Sequence, residues 1–384
     1  MLVLFEKIKN AFSHVGAGKN VNLYTLVRNI FPYFFSKKNQ AFSPLTIFLS
    51  VNSVCNLRCE MCDVGQKNKE SSFYKNLRLD GSHQELDYDR LENLIREVSE
   101  YKPKPRISVT TTEPFLYKNL FKLGRLVSGY GMEFQVTTNG TLLDKYFEDI
   151  FSSGISELCI SIDGKGEVHD NIRGAKNLYA NTVVALKRIR DRKTQLNLQY
   201  PKITIATVIS NFNDTNFSEL FDDLDESYYD RAIVTHMNFI DEGMVNEHNK
   251  DFLYVGKAEM AGLPGDTNNY NVNVDEAYKQ LLKIKKNYPK VRFAPDYNLA
   301  ELKIFYNHPD QFVRRNRCYI PWYVVEILAN GDVIPLTRCI HIKMGNIYKD
   351  ALKDIWNGEK YRAFRGQLRK SKQFPICRRC RGAL

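Results

Sequence analysis

Short apolar runs rich in β-branched residues recur along the chain and are separated by more polar segments. Residues 45–51 form the first run, and its length and composition predict a buried strand. Five further strand candidates follow at 106–112, 133–138, 157–163, 202–210 and 231–239.

The segments between these strand candidates are mostly helical or rich in turns. Residues 87–101 are predicted to be a helix, with Asp87 placed to cap its start. Its apolar stripe consists of Leu91, Leu94, Ile95 and Val98. Regular alternation of strand and helix predicts an α/β fold with a parallel sheet and right-handed crossovers. Active sites in such sheets lie at the carboxyl ends of the strands.

Composition indicates a globular chain without a membrane span. Of its 384 residues, 43% are hydrophobic and 12% aromatic, which is enough for one large core or two unequal ones. No segment reaches the roughly 18 apolar residues of a membrane span, and Glu6, Lys7 and Lys9 interrupt the apolar start that a secretory signal needs. We therefore expect a cytoplasmic location, in which the eight cysteines stay reduced and bind metal.

The net charge of +11 is concentrated at the two ends of the chain. Residues 1–43 carry a net +5 and residues 358–384 a net +8, which leaves −2 for the residues between them. A nucleic-acid enzyme usually spreads basic side chains along a binding face, so nucleic acid is not the expected partner. Two solvated basic termini are the simplest interpretation.

Three cysteines at CxxxCxxC spacing, Cys55, Cys59 and Cys62, follow the first strand candidate. Iron–sulfur clusters with four irons normally take four cysteine ligands, so three thiolates leave one iron open to another molecule. Zinc is the alternative, but it requires a fourth nearby ligand, and Asp63 and His83 do not have a familiar zinc spacing. The ligand count favours an iron–sulfur cluster.

This triplet resembles the signature of the radical S-adenosylmethionine (SAM) superfamily. The resemblance implies a partial (β/α)6 barrel, which agrees with six strand candidates. In that family the open iron of a 4Fe–4S cluster is chelated by the amino and carboxylate groups of SAM. An electron from the cluster then breaks the sulfonium and releases a 5′-deoxyadenosyl radical. A low-potential electron donor such as flavodoxin or ferredoxin is implied as a partner.

The resemblance extends to the ends of two strand candidates. Thr111-Thr112-Glu113-Pro114 stands where the family usually has Gly-Gly-Glu-Pro, which implies that Glu113 binds the SAM ammonium. Threonine restricts the backbone more than glycine does, so the backbone contacts of this segment remain open. Thr138 and Asn139 resemble the polar strand end near SAM, although the Asn-Gly pair at 139–140 also favours a tight turn.

Two positions are implied to lie near the adenine of SAM. Met61 precedes the third cysteine, where the family commonly has an aromatic residue, and its thioether can pack on a π face. Val208, in the strand candidate 202–210, would offer backbone groups, although core packing explains its apolar character as well.

The segment that begins with Ser161-Ile162-Asp163-Gly164 and continues to His169, Arg173 and Gly174 resembles a SxDG…H…RG pattern. That pattern occurs in the subgroup with sulfatase- and peptide-modifying enzymes. It implies that Ser161 and Arg173 bind the SAM carboxylate and that Asp163 reaches the ribose. Strand alternation places Cys159, Ser161 and Asp163 on one face, and a guanidinium fork suits a carboxylate. An ordinary exposed charge is the alternative role for Arg173.

Four more cysteines, Cys318, Cys339, Cys377 and Cys380, could together ligate one further cluster. The surrounding elements Asn330-Gly331-Asp332, Met344-Gly345-Asn346 and Ile355-Trp356 resemble a SPASM or twitch domain over roughly residues 316–384. The resemblance implies one auxiliary 4Fe–4S cluster. The family's cysteine usually follows the Gly-Asp-Val turn directly, where this chain has Leu336, so either Cys339 reaches the iron or one iron stays open. A zinc site is the alternative for these four thiols.

The resemblance divides the chain into four parts. These are an N-terminal extension (1–43), the barrel (44–240), a segment that completes the barrel and covers the active site (241–315), and the auxiliary-cluster domain (316–384). The fold class is therefore α/β, a partial (β/α)6 barrel with a small C-terminal iron–sulfur domain.

The auxiliary cluster would make the net reaction an oxidation if it accepts an electron, or an epimerisation if it donates one. Oxidation requires a base, and the candidates are His236, Asp241, Glu242 and Tyr323. Cys159 could donate a hydrogen atom, although an inert buried thiol is the expected state.

Three kinds of substrate or partner follow from these features. We expect a small polar metabolite such as a sugar or cyclitol derivative, with a ribosomal peptide as the second choice. The alternative from another class is a basic metal-binding protein that contacts nucleic acid.

The N-terminal extension is rich in aromatic residues. Phe5, Ile8 and Phe12 have helical spacing, and an aromatic block at 24–35 ends at Lys37 and Lys38. One interpretation is an interfacial helix at an anionic membrane. A helix packed on the barrel is the favoured alternative. The segment is too short for the winged-helix leader-binding domain of many peptide-modifying relatives.

Overall fold

Strands from both halves of the chain join in one sheet in the computed structural model, which describes residues 23–77, 83–262, 271–314, 317–336, 340 and 342–380. In chain order they are β1 (Thr46–Leu49), β2 (Arg106–Val109), β3 (Phe134–Thr138), β4 (Glu157–Ser161), β5 (Lys202–Ile209), β6 (Arg231–His236), β7 (Val291–Ala294), β8 (Val324–Ile327), β9 (Asp332–Ile334) and β10 (Gly345–Asn346). Their order across the sheet is β10-β9-β8-β1-β2-β3-β4-β5-β6-β7.

Helices connect these strands. They are α1 (Leu23–Phe35), α2 (Ser72–Leu77), α3 (Tyr88–Ser99), α4 (Leu120–Gly129), α5 (Phe147–Ser152), α6 (Glu167–Arg173), α7 (Leu178–Gln195), α8 (Glu219–Asp223), α9 (Glu242–Phe252), α10 (Val274–Asn287), α11 (Leu299–Asn307), α12 (Leu352–Trp356) and α13 (Glu359–Ser371). Short 3-10 turns lie at Pro114–Leu116, Glu226–Tyr228, Ile320–Trp322 and Pro375–Arg379. None of the helices in the described residues has the length and apolarity that crossing a membrane requires.

The neighbouring strands from β1 to β7 pair in parallel, so the α/β class and the parallel barrel predicted from the sequence are confirmed. Each of the six predicted runs contains one of the strands β1 to β6. The predicted helix is α3, and the side chain of Asp87 caps it by accepting from Arg90 N at 3.0 Å. Strand β7 was not predicted, because the exposed Arg292 interrupts its apolar run.

Exposure alternates along β3, β5 and β6 and shows which face of the sheet is covered. Val136, Ile205 and Val234 are buried in the main hydrophobic core. In the carboxyl halves of the strands, Thr137, Ser161, Ala206, Val208 and Thr235 are partly exposed. Ser161 pairs with Ala206, and Val208 with Thr235, and residues in register on parallel strands point to the same side. The uncovered face is therefore the concave side of the barrel, and we call these five residues the concave-face set.

Paired charges occupy the amino ends of β2, β4 and β6. Arg106 Nη2 lies 2.7 Å from Glu133 Oε2, and Arg106 Nη1 lies 3.3 Å from Glu157 Oε2. Arg231 Nη2 lies 2.6 Å from Glu157 Oε1. Burial opposes ionisation of Glu157, but Arg231 and Arg106 outweigh it and lower the pKa of this carboxyl. The buried charges at this end of the barrel thus neutralise one another.

The C-terminal part of the chain extends the barrel sheet. β8 pairs in parallel with β1, with Thr46 opposite Val324, and β9 returns antiparallel to β8. The turn between β8 and β9 has Gly331 at a φ of +80°, and a Cβ there would lie 2.2 Å from the Tyr348 ring, so this position requires glycine. Asn346 Nδ2 donates to Asp332 Oδ1 at 2.6 Å and fixes β10 against this turn. The predicted division of the chain into four parts stays a prediction.

Candidate functional site

The cysteine loop follows β1 at the carboxyl edge of the sheet and is held by contacts to the end of α6. Glu60 N donates to Ile172 O at 2.8 Å. Gly174 has a φ of +67°, and a Cβ on it would lie 3.0 Å from Arg58 O. The Arg173-Gly174 pair of the sequence pattern therefore packs directly against the loop, where a larger residue would push the two segments apart.

The three thiols of the loop influence one another, and those of Cys55 and Cys59 receive N–H donors. Burial raises the pKa of Cys59 to about 12, Arg173 lowers it, and Cys62 and Cys55 raise it further. Arg173 Nη1 lies 3.9 Å from Cys59 Sγ, and Asn139 Nδ2 lies 3.8 Å from Cys55 Sγ. Donors of this kind stabilise thiolates and suit a cluster held by Cys55, Cys59 and Cys62.

The described residues contain no group of three or more His, Cys, Asp or Glu side chains arranged to hold a single metal ion. A four-iron cluster binds each cysteine at a different iron, so its sulfurs need not converge on one point.

Glu113 is fully buried, and its carboxylate binds groups of the protein. Oε1 accepts from Thr138 Oγ1 at 2.9 Å and from Phe115 N at 3.0 Å, and Oε2 accepts from Asn139 N at 2.8 Å. Burial raises the pKa of Glu113 to about 7, while these hydrogen bonds and Arg173 lower it. Glu113 thus joins the ends of β2 and β3. Its contact with the SAM ammonium stays a prediction, as do those of Thr138 and Asn139 with SAM.

Thr111 occupies the first glycine position of the family pattern and has a φ of +90°. A β-branched residue at positive φ is a true outlier, so the backbone here keeps the glycine-like conformation despite the substitution. The hydroxyl Oγ1 of Thr111 donates to Ser50 Oγ at 2.7 Å, which supports this conformation.

Asp163 and Arg173 form a buried ion pair beside the loop, with Arg173 Nε 2.7 Å from Asp163 Oδ2. Asp163 Oδ1 accepts from Val208 N at 2.9 Å, so this carboxylate also fixes β5. His169 Nδ1 accepts from Asp163 N at 3.1 Å, and burial, followed by Arg173, lowers the pKa of His169 to about 3. The histidine of the pattern is therefore neutral and orients the backbone of Asp163. Ser161 is partly exposed at the end of β4.

Arg173 is thus mostly buried, with 11% of its side chain exposed, rather than an ordinary surface charge. Its predicted role in binding the SAM carboxylate stays a prediction, as do the roles of Ser161, Asp163, Met61 and Val208. Met61 is partly buried in the loop between Cys59 and Cys62.

Two buried asparagines that the sequence analysis missed support the same edge. Asn213 Nδ2 donates to Asp163 O at 2.7 Å and to Val208 O at 2.9 Å. Asn52 Nδ2 donates to Glu113 O at 2.9 Å, and its Oδ1 accepts from Thr112 Oγ1 at 2.6 Å. Both asparagines come within three residues of the end of a predicted strand. A polar residue at such a position is the sequence signal that could have identified them.

The candidate bases lie in different surroundings. His236 is buried, with Nδ1 3.0 Å from the Tyr306 hydroxyl and its ring stacked on Tyr297 at 5.2 Å. Asp241 Oδ1 accepts from Met244 N at 2.8 Å and caps α9, and Glu242 is exposed in the first turn of that helix. The catalytic roles of these three side chains stay predictions.

The other two catalytic candidates are buried. Cys159 lies in the middle of β4, and burial raises its pKa to about 12, as expected for an inert thiol. Burial also raises the pKa of Tyr323, and Cys318 and Cys380 add to this effect. Tyr323 therefore lies beside the C-terminal cysteines.

Backbone hydrogen bonds tie the described C-terminal cysteines to the segment that follows α13. Cys318 N donates to Lys372 O at 3.2 Å, which brings this cysteine to the end of α13, and Cys380 N donates to Cys377 O at 3.2 Å. Cys377 is buried, and the other two are partly buried. A set of thiols suits an iron–sulfur cluster. Cys339 lies outside the described residues, so its predicted ligation stays a prediction.

Two family models match the chain. The model described as the radical SAM superfamily matches residues 49–224, and the model described as an iron–sulfur cluster-binding domain, SPASM, matches residues 318–381. Together the two matches span more than half of the chain.

A curated relative is the tungsten-containing aldehyde ferredoxin oxidoreductase cofactor-modifying protein of Pyrococcus furiosus, 22% identical over 87% of this chain and 86% of that protein. Among solved structures, SuiB of Streptococcus suis bound to precursor peptide SuiA matches with a TM-score of 0.58 at 15% identity, over 100% of this chain and 83% of SuiB. Native anSMEcpe with bound AdoMet and Cp18Cys peptide matches with a TM-score of 0.54 at 16% identity, over 88% of each chain. These structural matches show a common fold.

The family matches decide among the alternatives left open by the sequence. They imply a 4Fe–4S cluster that binds SAM together with an auxiliary cluster, in place of zinc or a non-enzymatic metal site. The chain belongs to the radical SAM superfamily and carries a C-terminal SPASM domain.

Proposed function

We propose that this radical SAM enzyme modifies an amino-acid side chain within a peptide or protein. The observation that carries the proposal is the chemistry of the concave-face set, Thr137, Ser161, Ala206, Val208 and Thr235, which is small and uncharged. Arg106 and Arg231, at the amino ends of β2 and β6, are already paired with carboxylates. A phosphorylated substrate requires cationic groups, and the concave-face set offers none.

The same residues also favour a peptide over a free sugar or cyclitol. Such a metabolite has many hydroxyl groups, and each one that loses water without a partner weakens binding. The concave-face set provides three hydroxyls and two aliphatic side chains. An amino-acid side chain presents few polar atoms, and the rest of a peptide can be recognised outside the barrel through its backbone.

Complexes of similar folds support this substrate class. SuiB was solved with a precursor peptide and anSMEcpe with the Cp18Cys peptide, and both cover most of this chain. A peptide was the second choice from the sequence alone. We now rank it first.

In this proposal Cys55, Cys59 and Cys62 hold the cluster that binds SAM. When bound, that cluster and SAM supply a 5′-deoxyadenosyl radical that abstracts a substrate hydrogen. Arg173 balances the negative charge of the Cys59 thiolate, and Asp163 holds the guanidinium in place. Ser161 lies on the concave face two residues before Asp163, and Val208 N donates to Asp163 Oδ1, so we assign both residues contacts with SAM.

We assign the auxiliary cluster to Cys318, Cys377 and Cys380, with Cys339 as the predicted fourth ligand. The thiols of Cys318 and Cys380 lie near the buried Tyr323. A cluster in this place would accept an electron from the substrate radical in an oxidation and donate one to it in an epimerisation.

A fractionation experiment tests the substrate class. The anaerobically reconstituted and reduced enzyme receives SAM and an extract of its native host that ultrafiltration has divided into a macromolecular and a small-molecule fraction. We expect 5′-deoxyadenosine to form above the substrate-free rate only with the macromolecular fraction, and protease treatment of that fraction to abolish the increase. Cys59→Ala is the matched control, because it should form none with either fraction.

A small cofactor precursor is the second candidate substrate. The Pyrococcus relative favours it, since that protein is described as cofactor-modifying and aligns over 87% of this chain. Stimulation by the small-molecule fraction alone would support this candidate and contradict the peptide proposal.

A further inference from the structure

Helix α1 exposes a row of aromatic side chains. Tyr24, Phe31 and Phe35 have 76%, 52% and 66% of their surface exposed. They follow one another at intervals of seven and four residues, which places them on one side of a helix. The rings of Phe31 and Phe35 stack with centroids 4.3 Å apart. Several large exposed aromatic residues on one helix face indicate an interaction surface.

The opposite side of α1 fixes the helix to the body of the protein. Asn29, Ile30 and Tyr33 are buried. The ring of Tyr33 meets those of Trp322 and Tyr319 edge to face, each at 4.8 Å. The aromatic row is therefore held pointing away from the protein.

The end of α1 is anchored to helix α13. Arg369 Nη1 donates to Ser36 O at 2.8 Å, and Arg369 Nη2 donates to Phe34 O at 2.9 Å. A guanidinium at this position satisfies the free carbonyls at a helix C-terminus. These bonds place the last turn of α1 beside the basic C-terminal helix.

Exposed lysines surround this anchored end. Lys37 and Lys38 follow α1 directly, and Lys370 and Lys372 lie at the end of α13. A groove of about 470 Å³ separates the two segments. It is lined by Asn39, Ala363, Gly366, Gln367, Arg369 and Lys370. We call the aromatic row together with Lys37, Lys38 and Lys370 the aromatic-basic face.

We propose that the aromatic-basic face docks on the surface of an anionic lipid bilayer. Aromatic rings prefer the boundary between headgroups and acyl chains, and lysines beside them are attracted by anionic headgroups. The described basic side chains agree, because Lys37, Lys38, Lys370 and Lys372 are all exposed around this face.

An acidic electron carrier is the competing partner for a basic surface. The aromatic row argues for lipid, because three rings that are at least half exposed add apolar surface that a charged carrier would leave unmatched. The proposal concerns where the enzyme works and is independent of its substrate.

Vesicle sedimentation tests the proposal with the reconstituted full-length enzyme. We expect it to sediment with vesicles of phosphatidylcholine and phosphatidylglycerol, less so as salt rises, and to stay in solution with phosphatidylcholine alone. Phe31→Ser with Phe35→Ser should weaken binding at least about tenfold, because two aromatic side chains no longer leave water. Lys37→Gln with Lys38→Gln should weaken it by about fivefold for each charge removed.

The matched control replaces two exposed apolar residues elsewhere, Val184→Ser with Leu282→Ser, and should bind vesicles like the wild type. Iron content checks that each variant is folded. Equal binding by wild type and Phe31→Ser/Phe35→Ser, or equal binding to both kinds of vesicle, would overturn the proposal. The proposal would also be overturned if the wild type does not bind vesicles and Phe31→Ser/Phe35→Ser binds flavodoxin more weakly than the wild type does. The face would then bind a protein partner.

Discussion

The guanidinium of Arg173 and the carboxylate of Asp163 form a buried ion pair, with Nη2 and Nε 2.6 Å and 2.7 Å from Oδ2. Another nitrogen of the same guanidinium lies 3.9 Å from Cys59 Sγ. One cation therefore lies between a carboxylate and a cysteine of the loop, and its position depends on both.

Asp163→Asn should lower the free energy of unfolding by about 3 kcal/mol, because it leaves a buried guanidinium without its counter-charge. Urea denaturation measures this change. Asp144→Asn is the matched control, since Asp144 pairs with Arg188 at the surface with 77% of its side chain exposed, and its loss should cost less than about 1 kcal/mol. Equal effects of the two substitutions would show that the Arg173 pair contributes no more than a surface pair.

The lowered pKa of Glu157 predicts that the free energy of unfolding depends on pH. Its pKa is lowered in the folded protein, so the folded state binds fewer protons than the unfolded state just below the ordinary glutamate pKa. The stability from this carboxylate is therefore present above that ordinary pKa and is lost as pH falls through the lowered value. Urea unfolding between about pH 3 and pH 7 should show Glu157→Gln losing about 3 kcal/mol at neutral pH, and less as acid protonates the wild type.

Glu148→Gln serves as the control for Glu157, because Glu148 makes a surface pair with Arg192 and 72% of its side chain is exposed. It should leave the pH profile unchanged. If the stability of Glu157→Gln falls toward acid pH as much as that of the wild type, the paired charges at the amino ends of the strands do not have the proposed role.

At position 111 a glycine variant should be more stable than an alanine variant, which is the reverse of the usual order of stability. At a φ of +90° alanine keeps the backbone strain and loses the hydroxyl bond to Ser50, whereas glycine relieves the strain. We expect Thr111→Gly to be more stable than Thr111→Ala by about 1 kcal/mol in urea unfolding. A more stable alanine variant would mean that positive φ is not kept in solution.

Iron content tests the two cluster sites separately. The reconstituted wild type should contain about eight irons, and replacement of Cys55, Cys59 and Cys62 by alanine should leave about four. Replacement of Cys318, Cys377 and Cys380 should also leave about four, with SAM cleavage to 5′-deoxyadenosine retained in this second variant. Cys159→Ala is the matched control and should keep all the iron. Loss of all iron on removing either set would argue against two independent sites.

Much of the barrel could be predicted from local sequence. Each strand from β1 to β6 lies within a predicted apolar run, and α3 was predicted with its Asp87 cap. Strand β7 was missed because the exposed Arg292 interrupts its apolar run. Among the site residues, the cysteine triplet and the Asp163, His169 and Arg173 pattern could be recognised from spacing, since they lie within a few turns of chain.

The sequence by itself determined the order of strands and helices, the spacing of the thiols and the concentration of positive charge at both ends. Only the tertiary structure decided that β8 pairs with β1, that Asn52 and Asn213 fix the strand ends, and that α1 packs on Trp322 with its aromatic row outward. The reason is physical: periodicity and capping act within a few residues of chain. Pairing between distant segments depends instead on how the whole core packs.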